Sequence, residues 1–310
     1  MDMTSILITG AEGCMGQHLI NILSIYGKEF FVSLRRANRS NVLGSRQIRG
    51  FRNQSLVNFI DLDYDNLESI VCHKLEGIEK IFLLTPNSNT LDVTKKIMTE
   101  AQRTQSVKHI VKLSIPGTNL RPPTPEGMMH RQAEKIIAES GLHYTFLRPN
   151  YYMQNFITIP FRHSIKGTAF YLPLGDARAS FVDIRDVAEV AARILNEQSN
   201  KHYDMIYDIT GRQHLNCGDI SEILKSILGL PIDYVPISEQ TAKRELILAG
   251  LKPESIVCFL NLYRIIREDH MRRISKAVET VLGRKPISFE TFVRDHIELF
   301  KKRLNPLSSQ

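Results

Sequence analysis

The sequence predicts an α/β fold in which a doubly wound parallel sheet is followed by a smaller, helix-rich domain. Three observations indicate this class: strands alternate with helices in the first half, a glycine-rich turn follows the first strand, and the second half is mostly helical. Alternating strands and helices form right-handed crossovers, so the strands lie parallel in one sheet. With 310 residues, the chain is long enough for two domains.

The predicted strands of the first half are short apolar runs at 5–9, 30–34, 57–60, 80–84, 109–113 and 144–147. Strands that are buried on both faces are continuously apolar, as Ile-Phe-Leu-Leu at 81–84 is. Apolar residues at helical spacing fill the gaps between them. We therefore expect a first domain over 1–155, completed by a strand and a helix near 180–212, and a smaller domain over 156–310.

The second half carries helix patterns and helix stop signals. Apolar residues recur at helical spacing over 217–229, 239–250 and 253–269. Gly283 is expected to end a later helix, and Ser288 can cap a final helix that continues to residue 300.

The formal net charge is +7, and the excess is concentrated in one segment. Residues 35–60 contain six arginines and no acidic residue. A local anion site explains this clustering better than a nucleic-acid surface. We expect no nucleic-acid partner, and DNA binding through the segment stays an alternative that a strongly salt-dependent affinity would reveal.

Cysteine spacing and hydropathy bear on the compartment. The four cysteines are widely scattered without a C-x-x-C pair, which predicts reduced thiols in a cytoplasmic protein. No apolar run reaches the roughly 18 residues that a membrane span requires, and the N-terminus lacks the basic start of a signal peptide. The histidines show no metal-ligand spacing. We thus expect neither a membrane partner nor a metal.

A glycine-rich turn follows the first predicted strand and directly precedes a helix. It reads Gly10-Ala11-Glu12-Gly13-Cys14-Met15-Gly16. Such glycines allow a tight turn, a close approach of the backbone to a pyrophosphate, and close packing of helix on strand, while the helix N-terminus holds the anion. A Walker A loop is excluded, because Gln17 and His18 stand where it needs Lys and Ser or Thr. The turn therefore predicts a Rossmann-type dinucleotide site.

The residues after the second strand predict which dinucleotide is bound. An NAD site presents an acidic residue to the ribose 2′-hydroxyl about 20 residues beyond the turn. This chain has Arg35 and Arg36 there, and no acid before Asp61. Because a guanidinium group suits a phosphate, the predicted cofactor is NADP(H), with Arg35 the first candidate for its 2′-phosphate and Arg36 the second.

Taken together, these motifs resemble the short-chain dehydrogenase/reductase superfamily and, more closely, its atypical NmrA-like branch. The resemblance covers nearly the whole chain, and its order and spacing are more specific than any one piece. Its later segments are Asp61-Leu62, Leu84-Thr85-Pro86, the run from Val107 to Ser114, His130-x-x-x-Glu134, the run from Ser140 to Pro149, Tyr152-Met153-Gln154-Asn155, the run from Ser180 to Asp186, and Gly283-Arg284-Lys285-Pro286.

The resemblance implies cofactor-binding roles for particular positions. Residues 10–16 would bind the pyrophosphate, and Arg35 the 2′-phosphate. Other parts of the cofactor would meet Asp61 and Leu62 at the adenine, Thr85 and Pro86 at the nicotinamide ribose, and Pro149, Asn150, Tyr151 and Tyr152 beside the nicotinamide. His130 stands where family members place a Lys or His near that ring, and Ser114 approximately matches their strand-end serine.

The chain departs from the superfamily at its catalytic pair. The usual Tyr-x-x-x-Lys supplies a proton and holds the ribose, whereas the corresponding turn here has His130 and Glu134. Lys135 is one position out of register and would point about 100° away. His130, with Glu134 to orient it or raise its pKa, and Tyr151 are therefore the catalytic candidates, although a surface pair and plain core packing are the alternatives.

Two functions follow from this sequence. One is an NADPH-dependent oxidoreductase that passes hydride to a small apolar electrophile such as a quinone, an enone or an iminium. The other is a non-catalytic NADP(H) sensor whose occupancy gates a regulatory protein partner. The resemblance admits both, and the sequence leaves the oligomeric state open.

Overall fold

The structure, a computed structural model, describes residues 5–27, 29–33, 56–86, 88–158, 165–166 and 168–304. The chain divides into two compact units. The first unit contains residues 1–149 and 187–208, and the second contains residues 150–186 and 209–310. Among the described residues, no helix is both long and apolar enough to cross a membrane.

The elements are numbered in chain order. The strands are β1 (Ile6–Ile8), β2 (Phe30–Ser33), β3 (Val57–Ile60), β4 (Lys80–Leu83), β5 (His109–Leu113), β6 (His143–Pro149), β7 (Ile165–Lys166), β8 (Ala169–Leu172), β9 (Met205–Ile209) and β10 (Asp233–Pro236). The helices are α1 (Cys14–Ile25), α2 (Thr90–Thr104), α3 (Pro125–Ala138), α4 (Ile184–Asn196), α5 (Cys217–Leu228), α6 (Glu239–Leu248), α7 (Pro253–Arg267), α8 (Ala277–Leu282), α9 (Phe289–Asp295) and α10 (Ile297–Leu304).

A seven-stranded sheet forms the first unit, in the order β3-β2-β1-β4-β5-β6-β9. The pairings among β1 to β6 are parallel. Strand order reverses between β1 and β4, which is where an open α/β sheet leaves a crevice for a ligand. The Rossmann-type doubly wound fold predicted from the sequence is confirmed.

Helix α3 carries a candidate site residue, and its start is set by local chemistry. Thr124 accepts a hydrogen bond from the Gly127 amide at 2.9 Å, and Pro125 occupies the first helical position, where its missing N–H costs nothing. The helix therefore begins five residues before His130, earlier than the apolar spacing alone indicated. Its buried face includes His130 and Glu134.

The second unit contains a small sheet that the sequence pattern did not predict. Its order is β10-β8-β7, with β8 parallel to β10 and antiparallel to β7. These strands have two to four residues, too few to show a period of two. As expected, Gly283 ends α8 with a φ of 70°, and the Ser288 hydroxyl accepts a hydrogen bond from the Thr291 amide. The final helix is divided at His296 into α9 and α10.

Candidate functional site

The turn between β1 and α1 is packed tightly against its own backbone. Gly10 has a φ of 66°, and its carbonyl accepts a hydrogen bond from the Gly13 amide at 3.1 Å. A Cβ placed on Gly16 would lie 2.4 Å from the Gly10 oxygen and 2.7 Å from Ala11 Cα. Because those contacts are with backbone atoms that cannot move aside, glycine at 16 is required by the packing of helix on strand.

Gly13 differs from Gly16, because a Cβ at position 13 would clash with no atom of the protein. The nearest atom to a Cβ at this position is the Gly10 oxygen at 3.4 Å, an ordinary contact distance. Gly13 is also the N-cap of α1, and no side chain of the described residues caps this helix. The amide groups at the positive end of α1 therefore have no side-chain cap among the described residues, which suits the pyrophosphate expected here.

The other residues of the turn take different positions around it. Ala11 and Met15 are buried in the core, whereas the Cys14 side chain is exposed at the first position of α1. The Glu12 carbonyl accepts a hydrogen bond from Gln17 Nε2 at 3.1 Å, which fixes the outer side of the turn.

The remaining predicted residues of the first unit lie where its parallel strands end. Asp61 and Leu62 follow β3, Thr85 and Pro86 follow β4, Ser114 follows β5, and Pro149 ends β6. The carboxyl ends of parallel strands share one edge of the sheet, so the fold brings these positions to the same edge as the glycine turn. Arg35 and Arg36 lie outside the described residues.

On the β1–β3 side of this edge, the two adenine candidates differ in access. The Leu62 residue is fully buried in the core, so it supports the edge rather than lining it. The Asp61 carbonyl accepts a hydrogen bond from Lys74 Nζ at 2.6 Å, which ties the segment after β3 to the short helical turn at Cys72–Leu75.

On the β4–β6 side, Ser114 Oγ and His130 Nδ1 are among the buried polar atoms that lack a hydrogen-bond partner within the described residues. Ser114 is 2% exposed and His130 is 5% exposed. A buried polar atom without a hydrogen bond is costly, so such atoms commonly mark a place that a ligand fills.

Lys112, near the end of β5, is a buried cation in the same region. Its Nζ lies 3.4 Å from Thr85 Oγ1 and 3.4 Å from the Leu113 carbonyl, both long for hydrogen bonds. Burial lowers the pKa of Lys112 from 10.5 to about 8, with the negative charge of Glu134 opposing that effect. Thr85 can accept this contact because its own hydroxyl donates to Thr90 Oγ1.

The expected pairing of His130 with Glu134 is not found among the described contacts. Both carboxylate oxygens of Glu134 accept hydrogen bonds from Arg148, at 2.9 Å from Nε and 2.5 Å from Nη2. Burial, aided by the charge of Lys112, lowers the pKa of His130 to about 3. His130 is therefore neutral at physiological pH and cannot act there as an imidazolium acid.

The second unit holds the residues after Pro149, and two of them, Asn150 and Tyr152, make contacts within this unit. Asn150 Nδ2 donates to the Met271 carbonyl at 2.9 Å, and Asn150 Oδ1 accepts from the Tyr151 amide at 2.7 Å. Tyr152 forms a parallel bridge with Val182. These contacts give Asn150 and Tyr152 a role in ordering the start of the second unit.

Tyr151 lies in an aromatic cluster of the second unit. Its ring meets Phe156 and Phe181 with centroid distances of 5.9 and 5.6 Å. Burial, aided by the neighbouring Tyr263, raises the pKa of Tyr151 well above its ordinary value, and the Asn155 side chain opposes this effect. Tyr151 is thus packed within the cluster, which matches the core-packing alternative weighed for this residue.

Sequence reasoning missed Lys112 and Arg148 as site residues. A signal for Lys112 existed, because a lysine interrupts the otherwise apolar end of a strand that is buried on both faces. No comparable signal marks Arg148, whose partner Glu134 is 14 positions away. Among the described residues, no group of three His, Cys, Asp or Glu side chains is placed to hold a metal.

Comparison with known proteins agrees with this fold. The NAD(P)H azoreductase of Xenophilus azovorans is 27% identical over 296 residues, which cover 95% of this chain and 99% of the relative. An NADPH-dependent quinone oxidoreductase from Escherichia coli superposes with a TM-score of 0.78 at 21% identity, covering 94% of this chain and 99% of that one. The Citrobacter sp. triphenylmethane reductase complexed with NADP(H) gives 0.78 at 20% identity, with the same coverage.

The two structural likenesses support the fold alone, because both identities are low. The NmrA-like family model, in contrast, matches residues 2–292, which is nearly the entire chain. With the glycine turn, the reversed strand order and this match in agreement, the chain belongs to the NmrA-like family.

Proposed function

We propose that the protein is an NADPH-dependent reductase that passes hydride to a small apolar electrophile such as a quinone, an enone or an iminium. The observation that carries the proposal is the contrast in the glycine turn: a Cβ at Gly13, beside an uncapped helix N-terminus, would make only an ordinary contact, whereas the other glycines are tightly packed. That contrast fits a dinucleotide better than a turn that is glycine-rich only for its own folding. The relative named as an NAD(P)H azoreductase supports the same reaction class.

NADP(H) is the proposed cofactor because of the residues that follow β2. Arg35 and Arg36 replace the acidic residue that would bind a bare ribose. Six arginines in 35–60 without an acidic residue raise the local positive potential, which favours the additional phosphate.

Bound NADPH would supply the hydride, and this chain's residues would hold it in place. The amide groups at the start of α1 would bind the pyrophosphate. Ser114 Oγ and His130 Nδ1 would find, at the nicotinamide half, the hydrogen bonds that they lack within the described protein.

The state of His130 narrows the substrate class. Since its pKa is about 3, only a very small fraction of His130 carries a proton to donate at pH 7. A simple ketone needs an acid to stabilise the alkoxide that forms, whereas an iminium accepts hydride without one and a quinone forms a delocalised anion. The site therefore favours electrophiles that do not depend on a strong general acid.

The cofactor site is tested with Gly13→Val and with Gly16→Ala as a comparison. Gly13→Val should keep the apo protein folded, because the protein leaves room there, but should lose the rise in melting temperature that NADPH gives the wild type. That rise corresponds to about 2.7 kcal/mol at 100 times Kd. Gly16→Ala should instead lower the melting temperature of the apo protein, because its Cβ meets backbone. An NADPH-induced rise that survives Gly13→Val would refute this placement of the cofactor.

Turnover separates a reductase from a sensor. Purified protein with NADPH is offered a panel of quinones, enones, iminium salts, azo dyes and aldehydes, and loss of the reduced nicotinamide absorbance is followed. We expect turnover with the quinone or iminium members and little with simple aldehydes. Tight cofactor binding without turnover on any member would replace the reductase with the NADP(H)-sensing alternative.

A further inference from the structure

We propose that Lys112 makes this protein bind the reduced cofactor in preference to the oxidised one, because its buried ammonium group lies beneath the nicotinamide half of the site. The inference rests on the proposed cofactor site and assigns to it a discrimination between redox states. Two lines of argument support it, the position of Lys112 in the sheet and the balance of charge around it.

The sheet places Lys112 on the nicotinamide side. Strand order reverses between β1 and β4, and the adenosine half of a dinucleotide lies over the strands that carry its ribose ligands, here β1 to β3. The nicotinamide half therefore lies toward β4 and β5. Lys112 is next to last in β5, opposite Leu83 of β4, and its Nζ approaches Thr85, which lies two residues beyond the end of that neighbouring strand.

Within the described residues, no carboxylate forms an ion pair with Lys112. From α3 it is faced by Glu134 and by His130. Glu134 is bound by both of its oxygens to Arg148, and His130 is neutral. Arg148 also interacts with the charge of Asp208 on β9, so both nearby carboxylates act on the Arg148 guanidinium and Lys112 keeps an unpaired charge. Because Lys112 is fully buried, water screens that charge poorly.

The two redox states of the cofactor differ by one positive charge on the nicotinamide ring. The oxidised ring is a cation, and the reduced ring is neutral. A buried cation beneath the ring repels the first and not the second, since charge–charge interactions are strong where water is excluded. The expected consequences are tighter binding of NADPH and faster departure of NADP⁺ after hydride transfer.

The experiment measures the Kd of NADPH and of NADP⁺ by calorimetry for the full chain, for Lys112→Met and for Lys112→Arg at pH 7. The wild type should bind NADPH at least about tenfold more tightly. In Lys112→Met the preference should shrink to near one, through a lower Kd for NADP⁺ at an almost constant Kd for NADPH. Lys112→Arg, which keeps the charge, should keep the preference. If Lys112 had a purely structural role, Lys112→Met would instead weaken the binding of NADPH and of NADP⁺ equally.

Measuring the preference for NADPH over NADP⁺ at several pH values gives a second test. A purely structural role of Lys112 would not make this preference depend on pH. The preference of the wild type should fall between pH 7 and pH 9.5, as Lys112 loses its proton near its pKa of about 8. His130, with a pKa of about 3, is already neutral throughout this range, so it should not contribute. Lys112→Met should show no such change.

The outcomes distinguish this inference from the proposed function. Equal affinity of the wild type for both forms, or a preference that survives Lys112→Met, overturns the role of Lys112 and leaves the cofactor site standing. Binding of neither form by folded protein overturns the site and the inference together. A preference that depends on the charge at 112 and on pH supports both.

Discussion

Replacing Lys112 with methionine should stabilise the folded protein, although it removes a residue of the candidate site. Methionine has a length similar to that of lysine and can fill the same buried space without a charge. Burial lowers the pKa of Lys112 from 10.5 to about 8, so the folded state holds this proton less tightly than the unfolded chain does. Since a tenfold change in proton affinity is worth about 1.4 kcal/mol, the buried charge costs roughly 3 kcal/mol at pH 7.

The pH dependence of that gain has a definite sign. Between pH 8 and pH 10.5 the unfolded chain still binds the proton that the folded protein has released, so the free energy of unfolding of the wild type rises with pH. The advantage of Lys112→Met should therefore be complete below about pH 8 and then decline. From these values we expect about 3 kcal/mol at pH 7 and about 1 kcal/mol at pH 9.5.

Urea denaturation at the two pH values measures this difference. Lys95→Met, at an exposed position on α2, is the matched control and should change the free energy of unfolding little at either pH. A Lys112→Met protein that is less stable than the wild type at pH 7 would refute the reasoning. A gain that does not narrow at pH 9.5 would show that packing, and not the charge, is responsible.

Three further predictions address the cofactor and the buried ion pair. Arg35→Ala should weaken the binding of NADPH, measured by calorimetry, far more than that of NADH. Equal losses of affinity for the two cofactors would refute the assignment of Arg35 to the 2′-phosphate. Glu134→Ala should lower the free energy of unfolding by about 3 kcal/mol, because it leaves the Arg148 guanidinium buried without its partner; a neutral result in urea denaturation would contradict this. Alkylation of the exposed Cys14 thiol should slow when NADPH is present, while Cys72 reacts unchanged in the same peptide map; equal rates at Cys14 would argue against occupancy of the glycine turn.

The sequence by itself determined the first six strands, the glycine turn and the boundary signals at Gly283 and Ser288. These features depend on residues that are close in the chain. A continuous apolar run identifies a buried strand, and a glycine repeat between strand and helix identifies the turn. The parallel arrangement of the strands follows from the same alternation, because strands joined by crossover helices lie parallel.

Tertiary structure alone decided which side chains meet at the site. The helical spacing of His130 and Glu134 predicted a pair, yet Glu134 binds Arg148 on β6, because a bidentate bond to a buried guanidinium is stronger than a contact with a neutral imidazole. Lys112 became a candidate site residue in the same way, because its Nζ approaches Thr85, which follows the neighbouring strand β4. Sequence spacing reports neighbours along one element, whereas burial and the choice of partner are settled only where separate elements pack together.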